Sequence, residues 1–158
     1  MLCLTLKHSI LLMSTANTFL PASSKHTRTA RAGLILWTVT STLSMACRSH
    51  LCHGTTSIVP TTITSTKASL LEFVQLFNQV DLARPDMPNI LGLHLEGPYF
   101  AYEQRGAQDP KYLRDPDERE YKEVLSKTDR IRRWSFAVEL DGAERFLCTL
   151  QEHGIVSS

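Results

Sequence analysis

A histidine and a carboxylate two residues apart, His94 and Glu96, followed at once by Gly97 and Pro98, form the most chemically suggestive run in this chain of 158 residues. Side chains on a strand alternate between faces, so His94 and Glu96 point one way and Leu95 the other. Gly97 and Pro98 break a strand, which sets Glu96 at its mouth. A carboxylate there suits a hard or borderline divalent cation, and the glycine after it admits close backbone approach. A structural reading fits the same residues: His94 fills the interior with a satisfied hydrogen bond and Glu96 pairs with an arginine. Spacing alone leaves both open, because a catalytic metal site normally takes three protein ligands.

Cys47, His50, Cys52 and His53 make a second cluster of ligand-type side chains. On a helix their directions spread around the axis, so four of them do not converge on one tetrahedral ion. With Cys3 and Cys148 there is no CxxC pair and no dense framework, and reduced thiols are the simplest reading.

The elements that would position Glu96 follow from periodicity. Thr55 to Thr61 is short and β-branched and reads as a buried strand ending near Pro60. Ser65 or Thr66 can cap a helix whose apolar positions Leu70, Phe73, Val74, Phe77 and Val80 recur at helical spacing, stopping before Pro85 and Pro88. Ile90 to Leu95 reads as a second strand, and Tyr99 to Arg114 as a long functional loop. Asp115 at the cap, Pro116 at the first position and Glu118 predict a second helix, with Tyr121, Val124, Leu125 and Thr128 as its buried stripe. Ile131 to Val138 predicts a third strand with Trp134 and Phe136 on one face and Ser135 and Ala137 on the other. Asp141 with Glu144 predicts the start of a third helix carrying Ala143, Phe146, Leu147 and Leu150, ended by Gly154, and Ile155 to Ser158 begins a fourth strand. Alternating strands and helices of this kind imply right-handed crossovers and a parallel α/β sheet.

Composition narrows the function classes. A hydrophobic content of 42%, a charged content of 21% and a net charge of +1 describe a chain able to bury one core and argue against a disordered or polyanion-binding protein. There is no GxGxxG, no Walker loop and no basic stripe with interleaved aromatics, so nucleotide and nucleic-acid binding lack support.

Four ordered stretches carry a resemblance. LGLHLEGPYF (Leu91 to Phe100) followed by RGAQDPKYLRDPD (Arg105 to Asp117) is similar to the most distinctive segment of the N-acetylglucosamine-6-phosphate deacetylases, which are metal-dependent amidohydrolases. HGTTSIVPTTITS (His53 to Ser65), RRWSFAVELDGA (Arg132 to Ala143, with Val138 where the family usually has proline) and QEHGIVSS (Gln151 to Ser158) resemble further family strands in the same order.

The resemblance, spanning about residues 46–158, implies part of a (β/α)8 barrel, a fold that takes about 250 residues when whole. It implies hydrolysis of the N-acetyl amide of an amino-sugar phosphate, with a divalent ion, zinc or similar, acidifying water and polarising the carbonyl. Glu96 corresponds to the metal carboxylate, and Ala107 and Gln108 to positions whose backbone and side chain contact the amino sugar; many relatives have histidine where this chain has Gln108. His94 belongs to the motif without being a metal ligand, while Asp109, Lys111, Tyr112 and Arg114 shape the loop. Two further histidine ligands and the general acid/base aspartate are expected beyond Ser158, so no catalytic residue is expected within this chain and it is expected to be inactive alone. The intact family member is expected to be a cytoplasmic homodimer, with no nucleic-acid or membrane partner. Another amidohydrolase specificity on the same scaffold and a non-catalytic truncated product are the alternatives.

Residues 1–45 need a separate account. No acid precedes Glu72, and the fixed charges before residue 50 are Lys7, Lys25, Arg28, Arg31 and Arg48. Lys7 and His8 interrupt the apolar run from Leu2 to Met13, which argues against a secretory signal, and neither this run nor Leu34 to Trp37 is long enough to cross a bilayer. An acid-poor transit peptide fits the composition better. A non-homologous or disordered leader produced by a shifted reading frame is a further expectation: Ile35-Leu36-Trp37-Thr38 can be encoded by bases that, moved by one, read Phe-Met-Asp, as relatives carry at this distance before the HGTTS strand.

Overall fold

A computed structural model of the chain describes residues 10–14 and 39–158. Most of the 1–45 leader, including Ile35 to Thr38 where the shifted reading falls, lies outside the described residues. The elements are β1 (Ile10–Ser14), α1 (Val39–Cys52), β2 (Ser57–Thr62), α2 (Lys67–Asn78), β3 (Asn89–Ile90), β4 (Leu93–Glu96), α3 (Glu118–Lys127), β5 (Ile131–Ser135), α4 (Ala143–Glu152) and β6 (Val156–Ser157).

One sheet holds all the described strands, in the order β1-β2-β4-β5-β6 with the short β3 paired to β2. The pairings β2·β4, β4·β5 and β5·β6 are all parallel, and a helix precedes each new strand, as the alternating pattern predicts. The chain is therefore an α/β protein with a parallel sheet at its centre. β1 differs: it lies antiparallel against β2, from Ile10 opposite Thr62 to Ser14 opposite Ile58. β2 also runs past Pro60 to Thr62 instead of ending near the proline. Pro60 removes one donor, but Val59 and Thr61 on either side keep their partners Met13 and Leu11.

α2 forms where its cap and stripe place it. The Thr66 hydroxyl accepts from the Ser69 amide at 3.1 Å, and Leu70, Phe73, Val74 and Phe77 are the buried face. Phe146 on α4 is the hub of the second half of the core, with the rings of Tyr99, Tyr121, Trp134 and Phe136 at 5.1, 4.8, 5.0 and 4.9 Å. Trp134 and Phe136 do share a face, and it is the face that meets α4. Emptying such a position typically costs about 3–5 kcal/mol.

Other boundaries also differ from the sequence reading, β5 among them, which ends at Ser135 and not at Val138. α3 is capped by Asp117, not Asp115: the Asp117 carboxylate accepts from the Glu120 amide at 2.8 Å, and the helix begins at Glu118. α4 begins after Gly142, at φ 82° with no side-chain cap, so Asp141 does not cap it. The run Ile90 to Leu95 is two strands, broken at Gly92. Gly92 sits at φ 144°, and a side chain there would come within 2.6 Å of the Arg130 carbonyl oxygen, so the backbone entering β5 passes where a continuous strand would need a Cβ.

Among the described residues no helix is long and apolar enough to cross a membrane.

Candidate metal and substrate site

β4 ends at Glu96, whose amide donates to the Thr62 hydroxyl at 3.3 Å. Its Oε2 is buried and has no hydrogen-bond partner among the described residues. Burial pushes the carboxyl above the usual glutamate range, and the positive charge of Arg133 partly opposes this. Arg133 donates from Nε to the Ser158 hydroxyl at 3.0 Å, and its charge reaches Glu96 without a hydrogen bond to Oε2. An enclosed carboxylate oxygen without a donor costs free energy, which a proton, a water or a cation can each recover.

The turn after Glu96 is held on both sides. Gly97 has φ 78°, and a Cβ there would lie 2.3 Å from the Thr64 hydroxyl and 3.0 Å from the Phe100 ring. The Gly97 amide donates to the Ser135 carbonyl at 3.0 Å, and the Trp134 indole donates to the Gly97 carbonyl at 2.9 Å. The Gly97–Pro98 peptide is cis.

Gln108 returns to this turn. Its Oε1 accepts from the Thr64 amide at 2.8 Å, and Thr64 is the residue whose hydroxyl abuts Gly97. Because the partner is an N–H, the amide oxygen must face it, which leaves the Gln108 NH2 as the group able to donate outward. Ala107 beside it is exposed. Asp109 accepts from the Lys111 amide at 3.1 Å and shapes a short turn. Arg114 closes the loop: it donates to the Ser65 carbonyl at 3.0 Å, to the Tyr112 carbonyl at 2.7 Å, and from Nη2 to Glu120 Oε1 at 2.7 Å, while the Tyr99 hydroxyl donates to the same oxygen at 3.2 Å.

His94, one pleat below Glu96, is buried, with Nδ1 3.3 Å from the Thr61 hydroxyl and Nε2 2.7 Å from that of Ser135. Burial, then the charge of Arg133, pushes the imidazole down to about 4, so it is neutral at pH 7. Both ring nitrogens are occupied, which is the satisfied interior histidine of the structural reading.

No protein-family model matches the chain. It is 32% identical over 123 residues to the N-acetylglucosamine-6-phosphate deacetylase of Homo sapiens, covering 76% of this chain and 30% of that protein. It is 30% identical over 118 residues to an N-acetylgalactosamine-6-phosphate deacetylase of Shewanella sp. (strain ANA-3), covering 73% of this chain and 29% of that protein. The fold superposes with a TM-score of 0.67, at 32% identity, on a variant N-acetyl-D-glucosamine-6-phosphate deacetylase of Mycobacterium smegmatis in complex with N-acetyl-D-glucosamine-6-phosphate, covering 75% of this chain and 31% of that one. The chain is homologous to N-acetylglucosamine-6-phosphate deacetylases. It spans about 30% of the length of the curated deacetylases it matches.

As a metal centre the deacetylase-like residues fit in part. Glu96 offers one suitably buried oxygen, His94 offers no free nitrogen, and among the described residues no three of the His, Cys, Asp and Glu side chains gather as a ligand set. The 47–53 cluster is dispersed: Cys47 is buried, Cys52 is exposed, and His53 bonds through Nδ1 to the Ser49 carbonyl at 2.7 Å. Among the described residues Glu96 therefore stands without a second ligand-type side chain free to join it in a three-ligand set. A hollow of about 560 Å³, lined by Asn78, Lys127, Arg130 and His153, lies at the opposite, entry end of β5 and β6, away from Glu96.

The sequence reading omitted the residues that join the parts. Thr64 ties loop to turn, Ser135 supports both His94 and Gly97, and Glu120 receives Arg114. Thr61, Thr62 and Thr64 were visible as the three threonines of the PTTIT run; Ser135 carried no local signal, since its role depends on cross-strand register.

Proposed function

We propose that residues 46–158 form the metal-carboxylate and substrate-loop portion of a metal-dependent N-acetylglucosamine-6-phosphate deacetylase, on part of a (β/α)8 barrel. The observation that carries this reading is Glu96 Oε2, a buried carboxylate oxygen without a donor, at a strand mouth whose following turn meets the Gln108 loop through Thr64. The barrel is supported by strand order: β2, β4, β5 and β6 neighbour one another in chain order, whereas a doubly wound sheet reverses direction at a switch point.

The reaction is hydrolysis of the N-acetyl amide to glucosamine 6-phosphate and acetate, and a divalent ion, zinc or similar, supplies Lewis acidity to water and to the carbonyl. Within it Glu96 holds the ion, the Ala107 backbone and the Gln108 NH2 contact the amino sugar, and the clamp of Arg114 keeps that loop at the mouth. A catalytic metal site normally takes three protein ligands, and this reading gives the chain one, Glu96, so weak ion binding and no turnover are expected of the 158-residue chain by itself. N-acetylgalactosamine 6-phosphate is the second candidate substrate, favoured by the likeness to the Shewanella enzyme.

The same reading carries a cytoplasmic location, homodimeric assembly of the intact protein, and a leader over 1–45 that is foreign to the family. Sequencing the gene through codons 30 to 50 tests the leader; an intact frame with no shifted alternative removes the frame-shift origin.

The test uses the purified chain: zinc titration, with acetate release measured on both sugar phosphates. Weak zinc binding that Glu96→Gln abolishes, with no acetate released, is expected. Equal zinc binding by the two proteins would refute the role of Glu96, and turnover would refute the inactivity of the chain.

A further inference from the structure

Beneath Glu96, side chains from neighbouring strands join in a continuous series of hydrogen bonds. Arg133 Nε lies 3.0 Å from Ser158 Oγ, Ser158 Oγ 2.7 Å from Ser135 Oγ, and Ser135 Oγ 2.7 Å from His94 Nε2. His94 Nδ1 lies 3.3 Å from Thr61 Oγ1, which lies 3.2 Å from the Val59 carbonyl oxygen. The ends fix the direction: a guanidinium N–H only donates and a carbonyl oxygen only accepts. Each hydroxyl has one hydrogen. With a neutral imidazole, which has one N–H, all five contacts are made together only if Arg133 donates to Ser158, Ser158 to Ser135, Ser135 to His94 Nε2, His94 Nδ1 to Thr61, and Thr61 to Val59. Reversing the inner bonds leaves Thr61 unable to reach the carbonyl, so one contact is lost.

Ser135 also grips Glu96 from above. Its hydroxyl meets His94, two residues before the end of β4, while its carbonyl accepts from the Gly97 amide at 3.0 Å, one residue after Glu96. In the ladder His94 pairs with Thr61 and Arg133, and Glu96 pairs with Ser135. The same serine therefore brackets the carboxylate along the strand.

We propose that His94 is a positioning residue for Glu96, held as the Nδ1–H tautomer by this one-way chain, with Nε2 committed to the Ser135 hydroxyl and withheld from any metal ion. The significance of Glu96 as a metal ligand rests on the function proposed above; the tautomer and the chain do not.

The test is NMR on the 15N,13C-labelled chain, which needs no variant for its first answer. Long-range proton–nitrogen correlations of His94 are expected to show a pyrrole-type Nδ1 and a pyridine-type Nε2; a pyrrole-type Nε2 overturns the proposal. Ser135→Ala, which drops the hydroxyl and keeps the carbonyl, is expected to shift both His94 Nε2 and the Glu96 carboxyl carbon, and Ser135→Thr is expected to restore both. A Glu96 signal that is the same in all three proteins overturns the positioning role. Zinc chloride is then added to the unsubstituted chain: movement of Glu96 with His94 Nε2 unmoved supports the proposal, and direct zinc coordination by Nε2 overturns it. If zinc moves neither signal while the tautomer is as stated, the metal role of Glu96 fails and the hydrogen-bond chain stands.

Discussion

The backbone amide of Thr64 donates to the side-chain oxygen of Gln108 at 2.8 Å, across 44 residues of sequence, and so ties the tip of the long loop to the chain leaving β2. Losing this acceptor strands a part-buried N–H, which costs about 1 kcal/mol or more. Gln108→Ala is therefore expected to accelerate hydrogen exchange at the Thr64 amide, while Gln108→Glu, which keeps an oxygen in place, retains protection. Exchange at Thr64 that is the same in all three proteins would show that the tether is absent in solution.

Gly97 and Gly106 both have positive φ, 78° and 58°, but only Gly97 lacks room for a side chain. Gly106→Ala carries the backbone term alone, roughly 1–2 kcal/mol. Gly97→Ala adds a collision with the Thr64 hydroxyl and the Phe100 ring, and overpacking of that sort costs a further ~1–3 kcal/mol. Denaturant midpoints should rank the unsubstituted chain first, Gly106→Ala second and Gly97→Ala third. Equal midpoints for the two alanine variants would mean that the Thr64 contact yields without cost.

Burial pushes the Cys47 thiol up to about 11 from its ordinary 9.0. Between those values the unfolded chain has lost a proton that the folded chain keeps, so stability from this group is complete below pH 9 and is lost as pH rises toward 11, by roughly 2–3 kcal/mol in total. Urea midpoints at pH 8 and pH 10 should fall less for Cys47→Ala than for the unsubstituted chain. In the same folded protein, iodoacetamide should label the exposed Cys52 and Cys148 and spare Cys47 until denaturant is added.

Local pattern reached the elements whose determinants are local. The stripe Leu70, Phe73, Val74, Phe77 with the Thr66 cap carries both the start and the face of α2, and the spacing of Trp134 and Phe136 carries the core face of β5. The run Asp115-Pro116-Asp117 offers two equally good caps, and the choice falls to Asp117 through contacts outside the helix: Glu120, at the third helical position, is drawn to Arg114 and Tyr99. Gly92 gave a local hint, since an isolated glycine in a strand marks a break or a close approach, but the neighbours it accommodates are the Arg132 side chain of β5 and the Arg130 carbonyl just before it. The placing of Glu96 at the end of a strand was legible from the Gly97-Pro98 break; the neighbours of that turn, Thr64 and Ser135, depend on register across the sheet and are invisible to spacing along one strand.

Glu96 itself should be a site where function opposes stability. Its Oε2 is buried without a donor and its carboxyl is held above the usual range by desolvation, so the metal-free chain carries an uncompensated polar atom at the strand mouth. Removing the charge with Glu96→Gln relieves part of that cost, and a gain on the order of 1 kcal/mol in unfolding free energy is expected in the presence of a chelator. Zinc should narrow the gap by stabilising the unsubstituted chain alone, since a ligand that binds only the folded form raises its stability with concentration. A lower denaturant midpoint for Glu96→Gln in chelator would mean that the carboxylate already has a stabilising partner, and the case for a cation at this position would lose its ground.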